Sequence, residues 1–284
     1  MLTLASVKNL ISHQFPQWQD LEITFVKNSG HDNQTFHLGQ NMTIRLPRSA
    51  KYEPQIKKES IWLPVLAKHL SFHIPTPLGL GHPSVLYPSF WSVNQFISGE
   101  TLTRKNVANL SLLALDLTKF LVELQKVPIT TAPAAGNHNF FRGANPSVYH
   151  DEVISTFTTL QNDLPVKQLE KIWLNAITSS WEHAPVWLHG DIAPGNLIVQ
   201  KGRLHGVIDV GIMAVGDPAC DYAMAWSFFE KDSRSVFLAN LDEDLINRAK
   251  GWALWKALIT YRNPNTKIAA NAAYTLQQIL LDSK

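Results

Sequence analysis

The part of this chain that decides its fold runs from Trp187 to Asp221 and reads WLHGDIAPGNLIVQKGRLHGVIDVGIMAVGDPACD. Among short apolar segments it carries three side chains with acceptor oxygens, Asp191, Asn196 and Asp209. Transfer of a γ-phosphoryl group to a hydroxyl needs an acceptor beside the attacking oxygen and hard oxygen ligands for Mg²⁺. These residue types are the ones that such chemistry requires.

The apolar segments around these polar residues predict strands over Val186–Leu188, Leu197–Val199 and Leu204–Ile208. Asp191 and Asn196 fall in the loop between the first two strands, and Asp209 ends the third. The tight turn Lys201–Gly202 joins the second strand to the third as a hairpin, which brings Asp209 back toward Asn196. We therefore expect the three side chains to converge.

Three motifs follow one another in this stretch. His189-Gly190-Asp191 stands where protein kinases have His-Arg-Asp, with Asn196 at the expected offset, and Ile208-Asp209-Val210-Gly211 stands where they have Asp-Phe-Gly. Gly216-Asp217-Pro218-Ala219-Cys220-Asp221 then reads as a Gly-Asp-Pro-x-x-Asp element. In this order and spacing, the block resembles the catalytic core of the aminoglycoside phosphotransferase and choline kinase group, a branch of the protein-kinase-like fold.

The resemblance implies a role for each polar residue. Asp191 would be the catalytic base, which accepts or orients the proton of the substrate hydroxyl, and Asn196 and Asp209 would bind Mg²⁺. His189 and Asp221 would brace the catalytic loop. Taken singly, each residue also has a structural explanation, since Asp and Asn beside strands are common turn and loop residues.

The first hundred residues can be compared with the nucleotide-binding lobe that such an enzyme requires. Strands are predicted over Leu21–Lys27, Gln34–Leu38 and Met42–Leu46, with the turn-rich loop Asn28–Asn33 after the first. Gly30 and Asn33 fit the family's Gly-x-Asp-Asn variant of the phosphate-covering loop, so the resemblance implies that they contact the nucleotide. A plain hairpin loop explains this segment almost as well.

Arg45 on the third strand and Glu59 on a helix predicted over Glu53–His69 would form the ion pair that holds a cation over the nucleotide phosphates. Most kinases have Lys at the strand position, and Arg reaches phosphate with a planar fork rather than a point charge. The alternative is an exposed strand cation and an unrelated helical Glu. Lys57 and Lys58 are expected on a solvated face.

The segment Phe90–Gly99 reads as an apolar strand that runs into a turn. In the resemblance this is the hinge, whose main-chain groups meet the purine, so Asn94, Gln95 and Phe96 mark the expected neighbourhood of the base. An ordinary core strand is the equal alternative.

The fold class expected from the resemblance is α+β, a two-lobed protein-kinase-like fold. Residues 1–98 would form the N-terminal lobe, with an antiparallel sheet and one helix, and residues 99–284 a larger, mainly helical lobe. Asp217 is predicted to cap a helix that has Pro218 at its first position. Further strands are expected over Thr76–Gly81 and Ser84–Tyr87, and helices over Val107–Val127, Ser147–Leu160, Val166–Ser179, Pro218–Phe229, Glu243–Tyr261 and Thr266–Leu281.

Whole-chain composition restricts the function classes. With 284 residues the chain can bury a large core, and 25 basic against 23 acidic residues give a net charge of +2. This charge provides no field for nucleic acid or a membrane surface, so neither is expected as a partner. The single cysteine, Cys220, excludes an internal disulfide framework and suits a reducing interior. With no long apolar run and with ATP as co-substrate, a cytoplasmic location is expected.

The resemblance implies a small-molecule kinase that uses Mg²⁺ and ATP or GTP, with an aminoglycoside as the leading acceptor class. A macrolide, a choline-like compound or a metabolite hydroxyl is the alternative acceptor, and a nucleotide-binding pseudokinase that acts as an interaction module is the alternative function. Trp226, Trp252 and Trp255 are expected in the core, with a wall of the acceptor pocket as a second possibility. The C-terminal half also contains a cluster of carboxylates, which would suit an amino-sugar acceptor or would form a solvated acidic stretch between helices. Its members are Glu230, Asp232, Asp242, Glu243 and Asp244.

Overall fold

Apolar residues at alternate positions build an antiparallel sheet in the N-terminal part of the chain, as their spacing predicts. The computed structural model describes residues 2–26, 30 and 32–282. The chain divides into two units, the first made of Met1–Glu100 with His205–Gly211 and the second of Thr101–Leu204 with Ile212–Lys284. The lobes expected from the sequence were continuous, whereas the first unit also takes in a later segment, which contains Asp209.

The first unit consists of a sheet in the order β1-β2-β3-β5-β4 with two helices against it. Neighbouring strands pair antiparallel throughout. The apolar face of the first helix, with Val7, Leu10 and Ile11, packs against Phe36 and Trp91 of the sheet. The elements of this unit are α1 (Leu4–Gln14), β1 (Ile23–Phe25), β2 (Asn33–Leu38), β3 (Met42–Pro47), α2 (Glu53–Leu66), β4 (Pro77–Gly81) and β5 (Trp91–Gln95).

Two features of the first unit differ from the prediction. The helix α1 was not predicted, because its short apolar pattern is interrupted by Lys8 and His13. Ser84–Tyr87 is not a strand but a tight turn, in which the N–H of Ser84 donates to the carbonyl of Tyr87 at 2.7 Å. Residues 27–29 and 31 lie outside the described residues; they are the end of the predicted first strand, at position 27, and half of the predicted loop Asn28–Asn33.

The second unit is mainly helical. Strands β8 and β9 form a hairpin, with β6 beside β8, and β10 pairs antiparallel with β7. The elements are β6 (Glu100–Thr101), α3 (Leu110–Gln125), α4 (His150–Leu160), α5 (Val166–Thr178), β7 (Val186–Leu188), β8 (Leu197–Gln200), β9 (Arg203–Val207), β10 (Ala214–Gly216), α6 (Met224–Ser227), α7 (Lys231–Leu238), α8 (Glu243–Thr260) and α9 (Thr266–Leu281), and the division between the two units falls within β6 and within β9.

Helix α8 is the central element of this unit. Its buried residues lie on all of its faces, because it packs against α4, α5 and α9. At Gly251 an added Cβ would lie 2.5 Å from the Cβ of Ala176 on α5, so the absence of a side chain allows the two helices to approach closely. The position of α8 matters for the site because Trp252, Trp255 and Lys256 all lie on it.

The second unit also corrects two predictions. The helix predicted over Pro218–Phe229 is interrupted: a 3-10 helix at Pro218–Tyr222 is followed by the short α6. In this segment Asp221 bonds to backbone groups outside it, which holds its first turn in place. The helix α7 was missed, because the charged residues at its start read as a solvated stretch. Within the described residues, no helix is both long and apolar enough to cross a membrane.

Candidate active site

The loop after β7 holds the predicted base. It passes through His189, Gly190 and Asp191 and ends in a 3-10 turn at Pro194–Asn196. Gly190 has a φ of 87°, and an added Cβ would lie 3.0 Å from the carbonyl oxygen of Ile212. A side chain would be both strained and crowded at this position, so glycine allows the shape of the loop.

Asp221 fixes the backbone of this loop. Its buried carboxylate accepts the N–H groups of His189 and Gly190, each at 2.7 Å. Burial raises the pKa of the Asp221 carboxyl, and the nearby His189 and these backbone donors offset only part of that rise. The predicted brace between Asp221 and the catalytic loop is therefore confirmed.

Asp191 and Asn196 lie side by side in the second unit. The amide nitrogen of Asn196 donates to Oδ2 of Asp191 at 3.0 Å and to its backbone carbonyl at 2.9 Å. The N–H of Asp191 donates in turn to Nδ1 of the buried His189 at 3.2 Å, which fits the bracing role predicted for this histidine. Because its amide nitrogen is engaged, Asn196 keeps Oδ1 as a candidate ligand atom.

A cavity of about 180 Å³ lies beside Asp191 within the second unit. We call it the Asp191 cavity; its wall includes Arg142, Asp191, Cys220, Trp252, Trp255 and Lys256. Burial raises the pKa of the Cys220 thiol, which keeps it protonated and unreactive. Because Asp191 lines this cavity, a ligand bound there would lie next to the predicted base.

The three tryptophans predicted to lie in the core or in a pocket wall are all buried, and two of them also line the cavity. Trp252 and Trp255 are buried and line the Asp191 cavity, whereas Trp226 is buried elsewhere and its Nε1 donates to Asp282 at 3.0 Å. The burial follows from their position on tightly packed helices, as their helical spacing predicts.

The acidic residues after α6 do not belong to the Asp191 cavity in the described part of the chain. Glu230 accepts a hydrogen bond of 2.6 Å from Arg104, and Asp242 caps α8 by accepting the N–H of Leu245 at 2.7 Å. Asp232, Glu243 and Asp244 lie in the first turns of α7 and α8. These carboxylates therefore have structural positions at helix starts.

Arg45, Glu59 and Asp209 meet in the first unit. One guanidinium nitrogen of Arg45 donates to both oxygens of Glu59, at 2.8 and 2.7 Å, and the other donates to Asp209 at 3.1 Å. Burial by itself would lower the pKa of Arg45, but Glu59 and Asp209 outweigh it and raise the pKa. The predicted pairing of Arg45 with Glu59 is present, and Arg45 also reaches Asp209, which the sequence did not predict.

Asp209 does not end a strand as expected. β9 ends at Val207, and Asp209 follows in the left-handed region with a φ of 63°. This conformation is uncommon for a residue other than glycine and is strained. Its side chain is 51% exposed, so the carboxylate is open to a ligand on the side away from Arg45.

The remaining predicted nucleotide contacts lie elsewhere in the first unit. Gly30 is exposed, and its carbonyl accepts a 3.4 Å hydrogen bond from Arg48, while Asn33 is buried on β2. On β5, Asn94 is buried and donates to the hydroxyl of Ser92 at 3.3 Å.

At the predicted hinge, backbone donors are already used within the unit. The N–H of Gln95 donates to the carbonyl of Thr76 and that of Phe96 to the carbonyl of Asn41, each at 2.8 Å. The ring of Phe96 lies edge-on to that of His37, with centroids 5.0 Å apart. A purine in this neighbourhood would have to use other groups than these two N–H donors.

Asp217 has both a predicted and an unpredicted partner. It caps the 3-10 helix that begins at Pro218 by accepting the N–H of Ala219 at 3.1 Å, as predicted. Its second oxygen accepts a 2.7 Å hydrogen bond from Arg248 on α8, and both side chains are buried. Sequence reasoning missed Arg248, because no local pattern marks its distant partner.

Sequence reasoning also missed Arg142 and Lys256, which line the Asp191 cavity. Arg142 lies in a segment rich in Gly, Asn and Ala that reads only as a loop. Lys256 stands four residues after Trp252 on α8, a spacing that places both on one helix face. That spacing is the signal that could have associated this lysine with an aromatic wall.

Comparison with known proteins identifies the family and the fold of this chain. A family model described as "Phosphotransferase enzyme family" matches residues 23–258. An aminoglycoside 3'-phosphotransferase from Escherichia coli is 30% identical over 122 residues, which is 42% of this chain and 44% of that protein. The match therefore spans less than half of that relative's length.

Solved structures match over the whole chain. The GDP complex of wild-type aminoglycoside 2'-phosphotransferase-IIIa aligns with a TM-score of 0.72 and 16% identity, over 100% of both chains. A macrolide 2'-phosphotransferase from Brachybacterium faecium aligns with a TM-score of 0.63 and 18% identity, over 96% of this chain and 97% of that one. These identities are low, so the likeness establishes the kinase-like α+β fold. Because the family model covers most of its residues, this chain belongs to the phosphotransferase enzyme family.

Proposed function

We propose that this protein transfers the γ-phosphoryl group of ATP or GTP to a hydroxyl of a small molecule. The observation that carries the proposal is the position of Asp191: it lies at a ligand-sized cavity, on a loop whose backbone is held by the buried Asp221. The relatives support it, since they are aminoglycoside and macrolide phosphotransferases, and one was solved with GDP.

Asp191 acts as the base in this proposal. Its carboxylate accepts the proton of the acceptor hydroxyl while that oxygen bonds to the γ-phosphorus and the bond from the γ-phosphorus to the leaving oxygen of the nucleoside diphosphate breaks. The hydrogen bond from Asn196 to Oδ2 orients the carboxylate and leaves Oδ1 as the candidate proton acceptor. The acceptor molecule would occupy the Asp191 cavity.

Asn196 and Asp209 are the proposed Mg²⁺ ligands. Both offer the hard oxygen atoms that this ion prefers. The amide nitrogen of Asn196 donates to Asp191, which leaves its amide oxygen available, and the carboxylate of Asp209 is half-exposed. When bound, Mg²⁺ would neutralise charge on the triphosphate. Asp209 also receives the Arg45 guanidinium, so a cation is already attracted to this carboxylate from one side.

Arg45 is the proposed phosphate ligand, with Glu59 as the residue that orients it. The buried Glu59 binds one nitrogen of the guanidinium through both carboxylate oxygens. Gly30 and Asn33 near the phosphates, and Asn94 and Phe96 near the base, remain predictions that rest on the resemblance.

The test compares two variants in one assay. Asp191→Ala should reduce γ-phosphate release from ATP by about 10²- to 10⁴-fold and leave Mg²⁺-dependent nucleotide binding unchanged. Asp209→Ala should instead weaken that binding, measured by calorimetry with and without Mg²⁺. Asp163→Ala is the control, since Asp163 forms an exposed ion pair with Arg262.

The outcomes separate the proposal from its alternative. If Asp191→Ala turns over as fast as the wild type, Asp191 is not the catalytic base. If Asp209→Ala binds the nucleotide as tightly as the wild type in the presence of Mg²⁺, Asp209 is not a ligand of the ion. Tight nucleotide binding by the wild type without conversion of ATP to ADP, in water alone and with an amino sugar, a macrolide or choline as acceptor, would instead identify a nucleotide-binding module of the pseudokinase type.

A further inference from the structure

The Asp191 cavity has an unusual charge pattern for an enzyme whose relatives act on amino sugars or macrolides. Among the described residues that line it, Arg142 and Lys256 are cations and Asp191 is the one carboxylate. That carboxylate is also the proposed base. A polycationic acceptor would therefore meet two positive charges and no acidic partner besides Asp191.

The guanidinium of Arg142 is held over aromatic rings. Its centre lies 4.9 Å from the ring centre of Trp252, 4.6 Å from that of Trp255 and 6.0 Å from that of Tyr149. Cation–π contacts with several rings hold the guanidinium in place and leave N–H donors available at its edge. Arg142 is thus a rigid donor rather than a mobile surface charge.

These donors are largely unused within the protein. In the described part of the chain, Arg142 makes one side-chain hydrogen bond, at 3.3 Å to the carbonyl of Phe140, and no ion pair. The nearby Glu152 accepts a 2.6 Å hydrogen bond from Nε1 of Trp255 instead. A planar fork with free donors is suited to a carboxylate or a phosphate.

Lys256 adds a second positive charge to the same wall. Its ammonium lies 5.9 Å from the ring centre of Trp255, the ring that also stacks under Arg142. No carboxylate of the described residues forms an ion pair with it, and its side chain is exposed. Trp255 is therefore in contact with two cations, neither of which has an ion-pair partner among the described residues.

The same contacts disfavour a choline-like acceptor. Aromatic rings that bind quaternary ammonium groups do so through their faces. Here the guanidinium of Arg142 already lies 4.9 Å from the ring centre of Trp252 and 4.6 Å from that of Trp255, and Trp255 also stacks on Tyr149 with centroids 4.2 Å apart. A second cation would have to displace Arg142 or lie beside it.

We propose that the acceptor is a small hydroxylated anion, whose negative group binds Arg142 and Lys256 while its hydroxyl meets Asp191. The inference rests on the proposed phosphotransfer, because it identifies the class of molecule that occupies the same cavity. A volume of about 180 Å³ is small beside the roughly 300–1,000 Å³ of pockets for drug-sized ligands, so the acceptor has the size of a single sugar ring or a hydroxy acid.

Binding is measured first, because it does not depend on turnover. Calorimetry on the full chain would compare compounds of one scaffold: glucuronate and glucose 6-phosphate as anions, glucose as the neutral compound and glucosamine as the cation. An anion should bind at least about tenfold more tightly than glucose and glucosamine. A preference for the carboxylate or for the phosphate would identify the anionic group. Equal binding of all four, or a preference for glucosamine, overturns the proposal.

Variants then locate the anion. Arg142→Gln and Lys256→Gln should each weaken anion binding by about tenfold and leave glucose binding unchanged. Lys256→Glu should reverse the preference toward glucosamine. Because Arg142 is stacked on buried rings and its replacement could disturb folding, the exposed Lys256 keeps the test valid. Lys171→Gln, an exposed charge on α5 that does not line the cavity, is the matched control. Anion binding that is equal in wild type, Arg142→Gln and Lys256→Gln contradicts the site.

The two proposals can fail separately. Phosphate release from ATP to water, which needs no acceptor, reports on Asp191 and Asp209. If this release depends on Asp191 but no anion is preferred, the function stands and the acceptor class is wrong. If anions bind through Arg142 and Lys256 but the nucleotide is never cleaved, the site stands and the phosphotransfer is wrong.

Discussion

Asp221 accepts the backbone N–H of His189 at 2.7 Å, although the two residues stand 32 positions apart in the chain. With the second bond to Gly190, this contact ties the start of the catalytic loop to the 3-10 helix that begins at Pro218. The carboxylate is fully buried, so the interaction is not weakened by solvent. The position of Asp191 thus depends on a residue that never needs to contact the substrate.

Asp221→Asn should lower kcat for phosphate release by about 10²-fold. The amide NH₂ of asparagine would face the backbone N–H of either His189 or Gly190, and because two donors cannot bond to each other, the loop would shift. Nucleotide affinity measured without Mg²⁺ should change little, since the proposed phosphate ligand Arg45 is not on this loop. Steady-state kinetics and calorimetry measure the two effects. Asp163→Asn is the control, and an unchanged kcat in Asp221→Asn would show that the loop keeps its shape without the brace.

Arg45→Lys should raise the KM for the nucleotide by about tenfold, although the charge is preserved. A single ammonium cannot donate to Glu59 and Asp209 with the geometry of the guanidinium fork, which makes bonds of 2.7 to 3.1 Å to both. Glu59→Gln should raise KM as well, because Arg45 loses its buried counter-ion. Arg262→Lys, at an exposed ion pair, provides the comparison. Identical KM values for Arg45→Lys and the wild type would exclude a role for the fork.

Arg248→Met should lower the free energy of unfolding by about 3–5 kcal/mol, since it leaves the buried carboxylate of Asp217 without its counter-ion. Arg248 also donates to the hydroxyl of Ser179 at 3.1 Å and to the carbonyl of Ser180 at 3.2 Å. Urea unfolding followed by tryptophan fluorescence measures the change.

The matched variant for this prediction is Arg262→Met. Its ion pair with Asp163 is largely exposed, so the loss should stay below about 1 kcal/mol. Similar losses in the two variants would mean that burial does not determine the strength of the Arg248 pair.

Lys58→Gln should stabilise the protein at pH 7. Lys58 is partly buried on α2, not fully solvated as expected, and burial lowers its pKa to about 8 although Glu59 acts against this. Below this pH the folded chain must hold a partly desolvated charge, so its removal should add about 1–2 kcal/mol to the free energy of unfolding.

The pH dependence has a definite sign. Between pH 8 and about 10.5 the unfolded chain retains the Lys58 proton that the folded chain has lost, so wild-type stability rises with pH in this window. The advantage of Lys58→Gln should therefore be constant below pH 8 and disappear as the pH approaches 10.5. Urea unfolding across this range measures it, with the exposed Lys57→Gln as control. A pH-independent difference would contradict the assigned pKa.

Much of the local structure could be predicted because it depends on nearby residues. The bounds of β7 and α9 agree with the strand Val186–Leu188 and the helix Thr266–Leu281 expected from periodicity. The cap at Asp217 followed from the Asp-Pro pair. The helix α7 could not be predicted in this way, because buried contacts such as the hydrogen bond from Arg234 to the carbonyl of Ala225, rather than composition, hold it in place. The turn at Ser84–Tyr87 was likewise predicted wrongly, as a strand.

The amino-acid sequence by itself determined the family and the chemical types at the catalytic motifs, because the order Asp191, Asn196, Asp209 and the short strands between them are local properties of the chain. Only the tertiary structure decided which charges meet at the Asp191 cavity. Arg142 lies in a loop and Lys256 on α8, and they come to the same wall because the packing of α8 places Trp252 and Trp255 against Arg142. Contacts between residues so far apart depend on how helices pack, which the spacing of apolar residues along one segment does not encode.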